Sequence, residues 1–256
     1  MSEQNGILAG QTVIVTGGGS GIGRATARRA AREGAAVGVL DRDAENAEHT
    51  AAMVRDAGGT AGAYPCDVSD DASVAHAVGS VSAELGRVAG VVTAAGIFHG
   101  PDLRLAHEVS VEDFLVVLGV NLVGTFAVIK HALPQLMDGG GAIVTIASTA
   151  AIRGHGHGAG YTASKGGVNA LTRLLAVQYG PHGVRVNCIC PGGVDTPMTG
   201  GTFATPQAQE RARRSIPLGR YAQPEEIGDV AVFLLSDDAR YLTGSTLAVE
   251  GGATIA

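Results

Sequence analysis

At 256 residues, with 45% hydrophobic but only 4% aromatic side chains and no Trp, the chain is sized for one large domain whose core is built from Ala, Val, Leu and Ile. A formal charge of −6 offers no concentrated Lys/Arg face for nucleic acid or an anionic membrane, so neither is an expected partner. Cys66, Cys188 and Cys190 make a poor disulfide framework and read as buried thiols. The amino-terminal MSEQNGILAG has Glu3 where a signal peptide carries positive charge and lacks a long apolar stretch, which predicts a cytoplasmic protein.

Short β-branched runs at 12–16, 36–40, 60–64, 88–93, 142–147, 184–189 and 246–249 predict strands. Longer helical patterns at 21–33, 44–57, 72–85, 111–137, 161–179 and 225–235 lie between them. The alternation predicts a doubly wound, Rossmann-type α/β fold, a parallel sheet of about seven strands with helices on both faces in one domain over 1–256. Several strands are apolar at every position, as expected when both faces are covered. Within the helix at 111–137, the apolar run 114–129 carries Asn121 and two glycines and is short for a membrane span. It reads instead as a helix buried in the protein or in a subunit interface. The stretch 193–218, mixing Gly, Pro, Thr and arginines, is expected to be a substrate lid.

Directly after the first strand, VTGGGSGIGR places five glycines in seven positions. The G-x-G-x-x-G spacing fails at Ile22, whereas T-G-x-x-x-G-x-G fits Gly17, Gly21 and Gly23. In a doubly wound sheet this first turn is where a dinucleotide pyrophosphate sits, on glycine backbone and the amides of the following helix. Gly17, Ser20, Gly21, Ile22 and Gly23 are therefore the candidate cradle. Gly139 to Gly141 is equally glycine-dense but precedes a strand, so it reads as a plain loop. The second strand ends at Asp41, 18 residues after Gly23, close to where a carboxylate accepts from the adenine ribose hydroxyls and repels a 2′-phosphate. Asp41 favours NAD over NADP, while the adjacent Arg42 works against that preference.

Tyr161 and Lys165 lie four apart on one helix, which stacks their side chains on one face. A phenol titrates near pH 10, but a nearby ammonium and a nicotinium ring both favour phenolate, so Tyr161 is the candidate acid–base group of a hydride-transfer reaction. Ser148, at the end of the fifth strand, is placed to orient a substrate oxygen. A bare NAD-binding scaffold would need only the glycine loop and Asp41, so the Ser, Tyr and Lys set favours an enzyme over such a scaffold or sensor.

Together Thr16-Gly17-x-x-x-Gly21-x-Gly23, Asp41, Asp67-Val68, Asn121, Ser148, Tyr161-x-x-x-Lys165 and Pro191-Gly192 resemble, in order and spacing, the short-chain dehydrogenase/reductase family of about 250 residues. The resemblance implies Tyr161 as acid/base and Lys165 on the nicotinamide ribose. It implies Ser148 against the substrate oxygen and Asn121 in a water-mediated proton relay at a local helix distortion. It also implies that Asp67 and Val68 hold the adenine, that Pro191, Gly192, Val194 and Thr196 line the nicotinamide end, and that Ala94 keeps a backbone contact to the cofactor. One motif departs: the family's usual Asn-Asn-Ala-Gly is Thr93-Ala94-Ala95-Gly96, so bracing side-chain hydrogen bonds are lost or taken over by the Thr93 hydroxyl.

The expected reaction is NAD-dependent interconversion of a secondary alcohol or cyclic diol and a ketone. A 3-oxoacyl thioester reductase is the main competitor, disfavoured by Asp41. Substrate choice is expected from 98–105, 149–160 and 193–218, where Ala150, Ala151 and Ile152 form an apolar wall and Arg153, Arg211, Arg213 and Arg214 mostly face solvent. His155 and His157 lack carboxylate or Cys neighbours, and no metal is expected. The apolar helices at 111–137 and 161–179 resemble those that pair across two-folds in the family, which implies a homotetramer.

Overall fold

The computed structural model describes residues 6–154 and 158–256. Seven parallel strands, β1 (Thr12–Thr16), β2 (Ala36–Asp41), β3 (Thr60–Pro65), β4 (Val88–Thr93), β5 (Gly141–Ile146), β6 (Val184–Pro191) and β7 (Thr246–Val249), form one sheet in the order β3-β2-β1-β4-β5-β6-β7. The order reverses between β1 and β4, the switch point beyond whose carboxyl ends ligands bind in such sheets. The all-apolar strands follow from helices on both faces: in β1, Val13 and Val15 pack to one side and Ile14 to the other. Helices α1 (Gly21–Arg32), α2 (Ala44–Asp56) and α8 (Pro224–Leu235) cover the first face. The second is covered by α3 (Asp71–Leu85), α5 (Thr125–Met137) and α6 (Ala159–Tyr179).

The long helix expected at 111–137 is present but not uniform. It runs as α4 (Val111–Leu118), a π-helical stretch Gly119–Gly124, and α5, with Asn121 wholly buried in the π stretch. A widened turn of this kind inserts a residue into the helical ladder and re-aims a side chain. Among the described residues, Val111–Met137 is also the only helical stretch long and apolar enough to cross a membrane; here α4 packs against α6 and α5 lies on β4. The region expected as a substrate lid contains a helix of its own, α7 (Pro206–Ser215), begun by Thr205, whose side chain accepts from the Ala208 amide.

Candidate active site

The glycine loop leaves β1 at the switch point. Gly17 has φ +63°, and a Cβ there would stand 2.9 Å from the Ala95 backbone; at Gly23 it would stand 2.1 Å from the Gly17 carbonyl oxygen. Only glycine permits this fold-back, which sets the amino end of α1 over a cleft of about 550 Å³. Ser20 makes no side-chain cap, and no acidic residue lies in α1's first turn, so the helix presents amides and positive dipole to an anion. Gly17, Ser20, Gly21, Ile22, Gly23, Asp41, Asp67, Val68, Ala94 and Thr196 all line this cleft. Its lining is drawn from the carboxyl ends of β1, β2, β3 and β4.

Within the cleft Asp41 Oδ2 accepts from the Gly19 amide at 2.9 Å and Oδ1 from the Asp43 amide at 3.0 Å, fixing the carboxylate beside Arg42. Asp67 is tied by the Ser69 hydroxyl and amide, which hold its carboxyl below the usual range. Pro191, Gly192 and Val194 are not among the lining residues. Pro191 closes β6 beside β7, the Gly192 amide donates to the Val249 carbonyl, and Val194 is buried in the core near Ile22.

Ser148, Tyr161 and Lys165 are all buried and are not among the residues that line the cleft. The Tyr161 hydroxyl hydrogen-bonds with Ser148, whose Oγ also accepts from the Ala150 amide at 3.1 Å. Lys165 Nζ donates to the Ile146 carbonyl at 2.8 Å and stands 5.8 Å from the Tyr161 ring centroid. Phe98 stacks on the phenol ring at 4.2 Å between centroids and lines the cleft, a role no sequence pattern announced. Asn121 uses its whole side chain: Oδ1 accepts from the Ile97 amide at 2.8 Å, and Nδ2 donates to the Ile97 carbonyl and to Ser164 Oγ, each at 3.2 Å. A Cβ on Gly96 would meet both Asn121 Oδ1 at 3.3 Å and Lys165 Nζ at 3.5 Å, so the two converge beneath that glycine.

The electrostatics differ in sign from the sequence expectation. Burial pushes the Tyr161 phenol up, opposed by the Ser148 hydrogen bond. Burial also brings Lys165 down to about 8 from 10.5. The ammonium is spent on a backbone carbonyl and the desolvation is shared by both groups, so the chain alone keeps Tyr161 protonated at neutral pH.

The Lys165 shift has a stability consequence. With the folded value below the unfolded one, the unfolded chain holds more protons between about pH 8 and 10.5, so stability rises with pH across that window. Below it the buried ammonium costs about 3 kcal/mol. Lys165→Met is therefore expected to raise the melting temperature at pH 7 by about 6–12 °C and by much less at pH 10, in thermal melts at the two pH values.

The structure corrects the Thr93 expectation, agrees with solvent-facing Arg153, Arg213 and Arg214, and leaves the histidines aside. Thr93 Oγ1 is buried with no hydrogen-bond partner among the described residues, so it does not replace the missing bracing. The bracing comes instead from Thr16 Oγ1, which accepts from the Ala95 amide at 3.2 Å, and from Asn121. Arg153 is bound to the Ala253 carbonyl, and Arg213 and Arg214 pair with Glu210 in solvent. His155 and His157 lie outside the described residues, and among the described residues no group of metal-ligating side chains is present. Cys66, Cys188 and Cys190 are free and buried.

A family model described as enoyl-(acyl carrier protein) reductase matches residues 2–254. The chain is 42% identical over 248 residues to the cis-4-hydroxycyclohexanecarboxylate dehydrogenase of Sinomonas cyclohexanicum, covering 96% of this chain and 98% of that protein. It is 37% identical over 252 residues to the 2-(S)-hydroxypropyl-CoM dehydrogenase 3 of Xanthobacter autotrophicus, again covering 96% and 98%. Among solved structures, a putative NAD(P)-dependent gluconate 5-dehydrogenase from Beutenbergia cavernae, with NADP bound at low occupancy, matches with a TM-score of 0.90. The identity is 39% over 97% of this chain and 98% of that one.

Proposed function

Because the chain belongs to the short-chain dehydrogenase/reductase family, oxidoreductases that work with a nicotinamide cofactor, we propose that it oxidises a secondary alcohol or cyclic diol to the ketone with NAD, or runs the reverse reduction. The observation that carries this is the hydrogen-bonded Ser148 and Tyr161 pair with a buried Lys165, set behind Phe98, which lines the same cleft as the glycine cradle and Asp41. When bound, the cofactor supplies the hydride acceptor and, oxidised, a positive ring.

The chain's own residues do the rest. Ser148 donates to the substrate oxygen and holds it within reach of the phenol. Tyr161, as phenolate, takes the hydroxyl proton while the carbinol hydrogen leaves as hydride, so the carbon loses two electrons and becomes carbonyl; in reduction Tyr161 returns that proton. Lys165, protonated below about pH 8, supplies the positive charge that stabilises the phenolate against its burial. Asn121 acts by pinning Ile97 and, with it, Phe98 over the reacting end. Phe98, Ala150 and the phenol ring pack together with Val117, an apolar surface that fits an uncharged ring or alkyl chain better than a polyanion. At the adenosine end Asp41 selects NAD by accepting from the ribose hydroxyls.

A fluorescence assay of NAD and NADP against a panel of secondary alcohols and diols, and of NADH and NADPH against a 3-oxoacyl thioester, tests this reading. Turnover of an alcohol with NAD is the expected result. Turnover of the thioester alone with NADPH would make the protein a 3-oxoacyl thioester reductase, and tight NAD binding without any turnover would make it a scaffold.

The homotetramer expectation belongs to the same reading. Val111, Leu115, Val123 and Phe126 of α4, the π stretch and α5, together with Leu174 and Val177 of α6, are exposed apolar residues. We expect light scattering to give four times the chain mass, and Phe126→Glu to lower it; a monomer at micromolar concentration would contradict this.

A further inference from the structure

Helix α6 begins without a cap of its own. Its N-cap is Gly158, no side chain from the helix closes its first turn, and no acidic residue lies there. Yet Tyr161 is in that first turn, where the amides have no partner within the helix and a terminus ordinarily frays. The missing cap comes from 58 residues away. Asp102, 1% exposed, accepts from the Gly160 amide through Oδ1 at 2.7 Å and from the Tyr161 amide through Oδ2 at 2.9 Å. A Cβ on Gly158 would stand 2.1 Å from Asp102 Oδ2, so glycine there is what admits the carboxylate.

We propose that Asp102 is a positioning residue for Tyr161, holding the backbone of the acid–base residue so that its phenol stays against Ser148 and over Lys165. The two bonds are charge-assisted and run into the positive end of the helix dipole, the strong form of an N-terminal cap. They hold two successive amides, one of them Tyr161's own, which fixes both the position and the direction from which its side chain leaves. Asp102 also ties the segment carrying Phe98 to α6. That segment is fastened elsewhere by Asn121 on Ile97 and by His99, whose Nε2 lies 2.8 Å from Asp113 Oδ1 on α4. Phe98 and Tyr161 are thus stacked by two connected supports rather than by their own contact alone.

The proposal rests on Tyr161 being the acid–base group, and its test separates the two. In wild-type protein, amide hydrogen exchange should be slow at Gly160 and Tyr161, unlike ordinary first-turn amides; fast exchange at both would overturn the proposal without any variant. Asp102→Asn keeps one acceptor oxygen and the side-chain volume, and is expected to lower kcat about 10-fold; Asp102→Ala is expected to lower it about 100-fold, with KM for NAD within about twofold of wild type. For alcohol oxidation the acid limb of the pH–rate profile should move to higher pH, because a loosened phenol loses part of its support from Ser148 and Lys165 and deprotonates less readily. Variants that melt earlier but keep wild-type kcat and pH profile would make Asp102 a stability residue only and overturn the proposal. If Asp102→Ala fails to fold, Asp102→Asn and the exchange measurement still decide. Substantial activity in Tyr161→Phe would instead sink the acid–base assignment, whatever Asp102 does.

Discussion

Tyr161→Phe is expected to lower kcat by about three orders of magnitude while leaving NAD affinity within about twofold of wild type. The substitution removes one atom group. Phenylalanine keeps the ring that stacks on Phe98 at 4.2 Å and fills the same buried volume, so the fold and the cleft are retained. What disappears is the hydroxyl bonded to Ser148, and with it the only group in the cluster able to take the substrate proton. Lys165 cannot substitute, because its Nζ is turned to the Ile146 carbonyl. A loss of this size corresponds to about 4 kcal/mol of transition-state stabilisation. Steady-state kinetics with a fluorescence titration of NAD separates the two quantities; residual kcat within tenfold of wild type would require another base.

The second large effect is expected in the cleft itself. Asp41→Ala should lower kcat/KM for NAD by about 100-fold and raise it for NADP, in parallel assays with one alcohol. Each hydrogen bond from a ribose hydroxyl to the carboxylate contributes about 1.5–3 kcal/mol. A 2′-phosphate would face the same carboxylate with a repulsion of a few kcal/mol at the effective dielectric of a protein surface. With the carboxylate gone, Arg42, already lining the cleft, becomes the dominant charge there. Asp41 also supports the Gly19 and Asp43 amides, so Asp41→Asn, which still offers one acceptor oxygen, distinguishes the charge from the turn geometry. An NAD to NADP ratio unchanged in both variants would mean that Asp41 does not select the cofactor.

What was legible in the sequence follows from how local each determinant is. Strands β1, β2, β4, β5 and β6 were readable because burial on both faces writes apolar runs rich in Val and Ile, and the ends of all seven lie within two residues of the expected ones. The glycine cradle was readable because Gly17 and Gly23 meet each other within a few residues. The π stretch is invisible to periodicity, which over 111–137 is that of one helix, and the distortion at Asn121 was expected only through the family resemblance. An Asn inside an apolar run was the available signal. Helix α7 went unread because it is almost wholly polar, burying only Ala208 and Ala212, although Thr205-Pro206 is a regular helix start. Phe98 and Asp102 had no local signature, because their importance lies in contacts with Tyr161 about 60 residues on.

The most direct measurement of the proposed chemistry follows the hydrogen itself. A secondary alcohol turned over in the panel is supplied with deuterium on its carbinol carbon, together with NAD, and the reduced cofactor is weighed. One deuterium in NADH for each ketone formed is the expected result, with labelled NADH appearing about a thousandfold more slowly in the Tyr161→Phe variant. Ketone appearing without label in the cofactor, or labelled cofactor at wild-type rate from the variant, would contradict hydride transfer paired with proton removal by Tyr161.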